Sequence, residues 1–307
     1  MKLGIAVVYM FDAESEPLLA LHLRQIDKYT QVPYTIYGSV NRLAASYREQ
    51  LAHYPRVRVC ELPATDLRDG EEHAHYLDQL VGMAVDDGAT HVVTLHLDSF
   101  PVRSGWAEEL AATLSASRAF ATIERIQTAC LLFGRDWYLR CHPTFRLSAA
   151  QRALPTYLQF VTELDPAEHT GIGYGFAAYL NGQSWYSLPN PAKGDENSWG
   201  CVYGDMVFHL HGAIRLGDQK AGSRSVLAST LYAQLARTVA AIARRVTPVP
   251  ARWLLRSRLK TILHRMIDQP RLYAQAQEVE EIKRQLFEDP EAYLMQARAE
   301  AANEAGA

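Results

Sequence analysis

Residues 91–106 read HVVTLHLDSFPVRSGW: five mostly apolar residues run into His96-Leu97-Asp98, then a Ser-Phe-Pro turn and Trp106. Imidazole and carboxylate both bind divalent ions, and carboxylate with phosphate oxygens suits Mg2+ or Mn2+. Side chains alternate along an extended segment, so His96 and Asp98 are expected on one side of a strand end. A second set follows in VFHLHGAIR, where His209 and His211 share a face by the same rule. One histidine at a strand end is more often a hydrogen-bonded structural residue than a ligand. The metal reading therefore rests on the two motifs together, as two strand ends meeting at one ion.

Such a site needs strands that end at a common crevice. KLGIAVVYM, PYTIYGSV, VRVCELP and THVVTLHLD read as strands. Between them lie SEPLLALHLRQIDKYT, RLAASYREQLAHYP and DGEEHAHYLDQLVGMAVDDG, which read as helices. In the first helix Leu18, Leu19, Leu21, His22, Ile26 and Tyr29 recur at helical spacing behind Pro17. The third has an acidic first turn and closes at Gly88. Strand–helix alternation with short links predicts an α/β fold, a mostly parallel Rossmann-like sheet flanked by helices. Ligands of such sheets bind beyond the carboxyl ends of the strands, so Tyr9, Ser39, Asn41, His96 and Asp98 should converge there. No Gly-x-Gly-x-x-Gly follows the first strand. GIGYG at 171–175 follows no strand either and reads as the start of the helix GFAAYLNGQ.

Beyond residue 106 the pattern is less regular. GWAEELAATLSAS reads as a helix, AFATIERI and TACLLFGRDWYLR as strands, and HTGIGYGFAAYLNGQ as the lead into a helix. SWYSLPN and CVYGDMVFHLHG are further strand candidates across a polar loop at 190–199. Residues 226–307 hold long helical runs broken at Pro248, Pro250, Pro270 and Pro290. The expected organisation is an α/β domain over 1–225 and a C-terminal helical region over 226–307.

A chain of 307 residues with 48% hydrophobic content can bury one large core with an appendage. Its net charge of −3 argues against nucleic acid as the main partner. Cys60, Cys130, Cys141 and Cys201 form no CxxC pair and read as reduced thiols of a cytoplasmic protein. The opening MKLGIAVVYM has no small-residue cleavage site and reads as a first strand rather than a leader. No stretch approaches the ~20 apolar residues that span a bilayer. Residues 237–265 hold eight Lys or Arg, no acid, and an apolar face from Trp253 to Leu263. Packing over the domain or in a homodimer is the expected role, with weak contact to the inner membrane surface as the alternative.

The order of elements, followed by His96-Leu97-Asp98, Pro101 and Gly105-Trp106, resembles the GT-A fold nucleotide-sugar glycosyltransferases, in particular family-2-like enzymes. The resemblance covers about residues 3–215 and is specific at two short motifs. Those enzymes carry Asp-x-Asp after the fourth strand; here His96 replaces the first acid, and Asp98 keeps the second, which binds the metal. The family's late histidine matches His209 best and His211 second. An acidic pair before a helix supplies the family's general base, and Glu168-His169 stands in that place, with Asp165 nearby. A histidine suits that work, its unperturbed pKa being ~6.5. Acids before a helix also serve simply as caps. The resemblance implies that Tyr9 borders the donor base, that Ser39 and Asn41 bond base or ribose, and that His73 and His96 lie near phosphate or ribose. It implies sugar transfer from a nucleotide-diphospho-sugar to a saccharide, lipid-linked or small-molecule acceptor, assisted by Mn2+ or Mg2+. A metal-dependent hydrolase is the rival, though no second ligand cluster supports it. A nucleotide-sugar-binding protein without turnover is the third reading, kept open by His96 and His169.

Overall fold

The computed structural model describes residues 1–10, 16–123, 126–164, 170–189, 199–210 and 269–305. Four apolar segments form strands β1 (Leu3–Val8), β2 (Tyr34–Ser39), β3 (Val57–Cys60) and β4 (His91–Leu95). Helices α1 (Glu16–Tyr29), α2 (Ala45–Ala52) and α3 (Asp69–Asp86) connect them. Then come β5 (Ser99–Pro101), α4 (Trp106–Ala112), β6 (Arg118–Ile123), β7 (Gln127–Gly134), α5 (Arg135–Cys141), α6 (Ala149–Arg152), α7 (Pro155–Leu164) and α8 (Ile172–Leu180). The remainder is β8 (Ser184–Ser187), β9 (Cys201–Tyr203), β10 (Val207–His209), α9 (Gln269–Glu288) and α10 (Pro290–Ala305).

The main sheet has the order β3-β2-β1-β4-β7-β6-β8. Only β7 runs antiparallel to its neighbours within it, so the sheet is mostly parallel, as the alternation predicts. Every residue of β1 is buried because both faces are covered. Leu3, Ile5, Val7 and Tyr9 enter the core shared with α1 and α4, whereas Ala6 and Val8 enter the core shared with α3. A second, antiparallel sheet of order β5-β10-β9 stands beside the first.

Two expectations need correction, and a third stretch carried none. The apolar run from Thr128 does not continue as a strand to Arg140; it stops at Gly134 and turns into α5. There Trp137 folds back against Phe120 and Phe133. A short apolar run has no period that separates strand from buried helix. CVYGDMVFHLHG is likewise not one strand but the hairpin β9–β10, whose turn residues Gly204 and Asp205 have φ of 55° and 58°. Finally, 149–164 forms α6 and α7, the former opened by a Ser148–Gln151 capping box that had gone unread.

The described part of the C-terminal region shares the first core, to which it contributes Val279, Leu286, Leu294 and Ala297. Arg298 of α10 forms two hydrogen bonds to the Asp205 carboxylate, at 2.7 and 2.9 Å, while Arg103 donates to its carbonyl at 3.0 Å. The hairpin turn is thus clamped from two sides. Residues 237–265 lie outside the described residues, among which no helix is long and apolar enough to cross a membrane.

GIGYG does open a helix, and close packing explains its glycines. A Cβ on Gly171 would collide with the Ile126 carbonyl, and one on Gly173 with the Thr144 carbonyl. Both obstacles are backbone and cannot swing away. Gly173→Ala is expected to destabilise the fold by about 1–3 kcal/mol or more, read from denaturant unfolding. Gly82→Ala in α3, with open space around the new methyl, should instead stabilise by about 0.5–1 kcal/mol.

Candidate metal centre

Strand β4 ends at Leu95, so His96 and Asp98 do not share a strand face as alternation suggested. They form a tight turn. The Ser99 amide donates to the His96 carbonyl at 3.1 Å, and the His96 amide donates to the Ser99 hydroxyl at 2.8 Å. This turn, rather than a two-residue period, brings His96 Nδ1 to 3.9 Å from Asp98 Oδ1. The chain then enters β5, which pairs with β10 so that Ser99 lies opposite His209. The Leu210 amide donates to the Asp98 carbonyl at 3.0 Å. His209 Nε2 consequently lies 3.7 Å from Asp98 Oδ1.

One donor atom from each of His96, Asp98 and His209 lies within 4.8 Å of the other two. Ligand atoms about 2.0–2.2 Å from a shared ion lie roughly 3–4 Å apart, so modest inward movement of side chains suffices. Two imidazoles and a carboxylate suit a borderline ion such as Mn2+ better than Mg2+, which prefers oxygen. Asp98 and His209 are buried, and a buried carboxylate is stable only when paired or metal-bound. His96 keeps 30% of its side chain exposed and is the member that reaches solvent. Its Nε2 is held by the Thr128 hydroxyl at 2.9 Å.

The position follows from the strand order. The chain builds β1, β2 and β3 outward in one direction, then places β4 on the other side of β1. Strand order reverses between β1 and β4, the point beyond whose strand ends open α/β sheets bind ligands. The cluster sits at the carboxyl end of β4, at that reversal.

His73 of α3 joins it, its ring centroid 5.1 Å from that of His96 at an interplanar angle of 87°. The preceding Glu72 is buried, and Arg42 neutralises it through two hydrogen bonds of 2.8 and 2.9 Å. That ion pair ties the loop after β2 to the start of α3. Ser39 and Asn41 face inward instead. The Ser39 hydroxyl donates to Asn41 Oδ1 at 3.0 Å, and the Asn41 amide exchanges hydrogen bonds of 2.6 and 3.2 Å with Leu62. Asn41 thereby does the work of a backbone unit joining the ends of β2 and β3. Tyr9 does not line the crevice: it is fully buried on the α1 side, with its ring over Gly38 and edge-on to His22. Strand alternation puts residue 9 with Leu3, Ile5 and Val7 rather than toward a donor base.

Asp165, Glu168, His169 and His211 lie outside the described residues. The described chain resumes at Thr170, whose side chain is the nearest neighbour of Gly70, three residues before His73.

Sequence reading missed His22 and Thr128 as parts of the site. His22 was legible only as one more member of an apolar helix face, and an imidazole there was the available signal. It is fully buried, which pushes its pKa down to about 4. The unfolded chain, with an ordinary value of ~6.5, takes up a proton that the folded chain refuses. Stability should therefore fall by about 3 kcal/mol from this group as pH drops from ~6.5 to about 4, and be unaffected above that window. Urea unfolding across that range, with His22→Asn as reference, measures it.

No protein-family model matches the chain, and no curated protein does. Solved structures with a similar chain trace include the mannosyltransferase PcManGT from Pyrobaculum calidifontis in complex with GDP-Man and Mn2+. It is 11% identical over 98% of this chain and 87% of that one, with a TM-score of 0.39. Glycosyltransferase GlyE from Streptococcus pneumoniae TIGR4 is 10% identical over 61% of this chain, TM-score 0.37, and the match spans 45% of its length. Mouse xyloside xylosyltransferase 1 is 9% identical over 61% of this chain and 85% of that one, TM-score 0.37. By their names, all three of these similar structures are glycosyltransferases.

Proposed function

We propose that this chain is a GT-A-like glycosyltransferase that moves a sugar from a nucleotide-diphospho-sugar to an acceptor hydroxyl. The observation that carries the proposal is the His96–Asp98–His209 cluster at the reversal point of the main sheet. A buried carboxylate and a buried imidazole, with a second imidazole exposed beside them, suit a site that holds an ion on one side and phosphate oxygens on the other.

Asp98 and His209 would hold the ion, with Mn2+ favoured over Mg2+ by the imidazole donors. Bound there, the ion supplies Lewis-acid neutralisation of the charge that develops on the leaving diphosphate. His96, oriented by Thr128, would donate to a phosphate or ribose oxygen, and His73 would restrict its ring to that pose. The Ser39–Asn41–Leu62 bonds would keep the loop beyond β2 at the edge of the donor crevice. The base that accepts the acceptor's proton would come from His169, Glu168 or Asp165. These residues directly precede Thr170, whose hydroxyl lies beside Gly70 at the start of α3. The acceptor would be a saccharide, lipid-linked or small-molecule alcohol, since the same proton transfer serves any hydroxyl.

A thermal-shift panel of nucleotides and nucleotide sugars, with and without Mn2+, tests the proposal. One nucleoside diphosphate, or its sugar conjugate, should raise Tm in the presence of Mn2+ and much less without it. A panel in which none does so, with phosphoester or amide hydrolysis in parallel assays, would hand the site to the hydrolase reading.

A further inference from the structure

We propose that His22 is a positioning residue for the metal-binding turn: its ring anchors the backbone beside Asp98 and thereby sets the spacing between Asp98 and His209. The inference rests on the metal reading above for its consequence, but on hydrogen bonds within the protein for its basis.

His22 lies on the buried face of α1 and is itself no member of the ligand cluster. Its Nδ1 is 3.0 Å from the Ser99 carbonyl oxygen. Ser99 directly follows Asp98 in the chain. A carbonyl only accepts, so Nδ1 carries the proton and the ring is the donor. At the other nitrogen, Nε2 has no hydrogen-bond partner among the described residues, nor do the Gln25 amide and the Tyr9 hydroxyl. The backbone around Asp98 is therefore what holds the ring, and the ring holds it in return.

Ser99 is the residue on which the whole arrangement turns. Its amide and hydroxyl close the turn to His96, its hydroxyl also donates to the Ala129 carbonyl, and it faces His209 across the β5–β10 ladder. Holding the Ser99 carbonyl from α1 therefore fixes both ligand-bearing strands against the helix layer. An apolar side chain of similar volume would fill the space but leave a buried carbonyl without its donor. The strand would then move to find another. Groups that orient metal ligands in this way typically change affinity by about 10–100-fold when removed.

The test is Mn2+ titration by calorimetry on the full chain, comparing wild type with Asp98→Ala, His22→Leu, His22→Met and His22→Asn. Asparagine places an N–H donor where Nδ1 was; leucine and methionine do not, and two donorless variants keep the test open if one fails to fold. Expected are no binding by Asp98→Ala, about 10–100-fold weaker binding by the donorless variants, and recovery of most affinity by His22→Asn. A second readout needs no ion. Hydrogen exchange at the Leu210 amide, bonded to the Asp98 carbonyl, should quicken in the donorless variants relative to Val7 of β1 and return toward wild type in His22→Asn. A donorless variant that binds Mn2+ like wild type, or keeps wild-type exchange at Leu210, overturns the inference. Wild type that takes no Mn2+ overturns the metal reading instead, and exchange at Leu210 still decides whether His22 positions the turn.

Discussion

Asp98→Ala is expected to abolish Mn2+-dependent stabilisation by a nucleoside diphosphate and to lower sugar transfer by about 10³-fold. Asp98 supplies the one oxygen donor of the cluster among the described residues, 3.7 and 3.9 Å from the two imidazoles. Without it the His209 imidazole alone would hold an ion weakly. On the proposed reading the leaving diphosphate would then lack its counter-charge, a loss of about 4 kcal/mol in transition-state stabilisation. His209→Ala should have a similar effect, because it removes the buried partner that faces Asp98 across the second sheet. His96→Ala should do less to the ion, since that ring is partly exposed and tied to Thr128. In wild type, nucleotide at ~100 times its Kd with Mn2+ should add about 2.7 kcal/mol of stability, and this increment should vanish in the first two variants. If both still respond like wild type, Asp98 and His209 hold no ion.

His169→Ala is expected to lower turnover by ~10²–10⁴ while donor affinity stays nearly unchanged. An inverting transfer needs a proton acceptor on the face of the sugar opposite the leaving diphosphate, and that acceptor does no work in binding the donor. The wild-type pH–rate profile should show a limb near ~6.5 if the imidazole is the base. A limb at lower pH, with His169→Ala still active, assigns the role to Glu168 or Asp165. Single-turnover rates for the three alanine variants separate these outcomes. Full activity in all three moves the base out of 165–169 or points to a retaining reaction.

Much of the scaffold was legible because local rules suffice for it. Leu3, Ile5 and Val7 alternate with Ala6 and Val8 between two cores, and a strand so buried reads as an unbroken apolar run. Gly88 closes α3 with φ of 78°, a conformation available at little cost without a Cβ. GIGYG was recognised as a helix start, but its reason was not: the carbonyls of Ile126 and Thr144 that exclude a side chain belong to other segments. Trp137 shows the converse failure. Its run is as apolar as β7, and only packing against Phe120 and Phe133 bends it into α5.

By itself, then, the sequence determined which segments are strands and helices over the first hundred residues, and that His96, Asp98 and His209 are chemically able to share an ion. Period and residue type are properties of neighbours along the chain. Only the tertiary structure decided that these three side chains meet. Asp98 and His209 are brought together by a β5–β10 ladder, in which β10 is held on its other edge by the β9–β10 hairpin whose turn Arg298 of α10 clamps, and no local period encodes that pairing. The same holds for Tyr9 and His22. Tyr9 reads as a polar residue at a strand end and His22 as one member of a helix face, yet both are fully buried, Tyr9 over Gly38 and His22 behind the His96–Ser99 turn. Which face of an element is covered depends on what packs against it, and that is settled when the layers assemble.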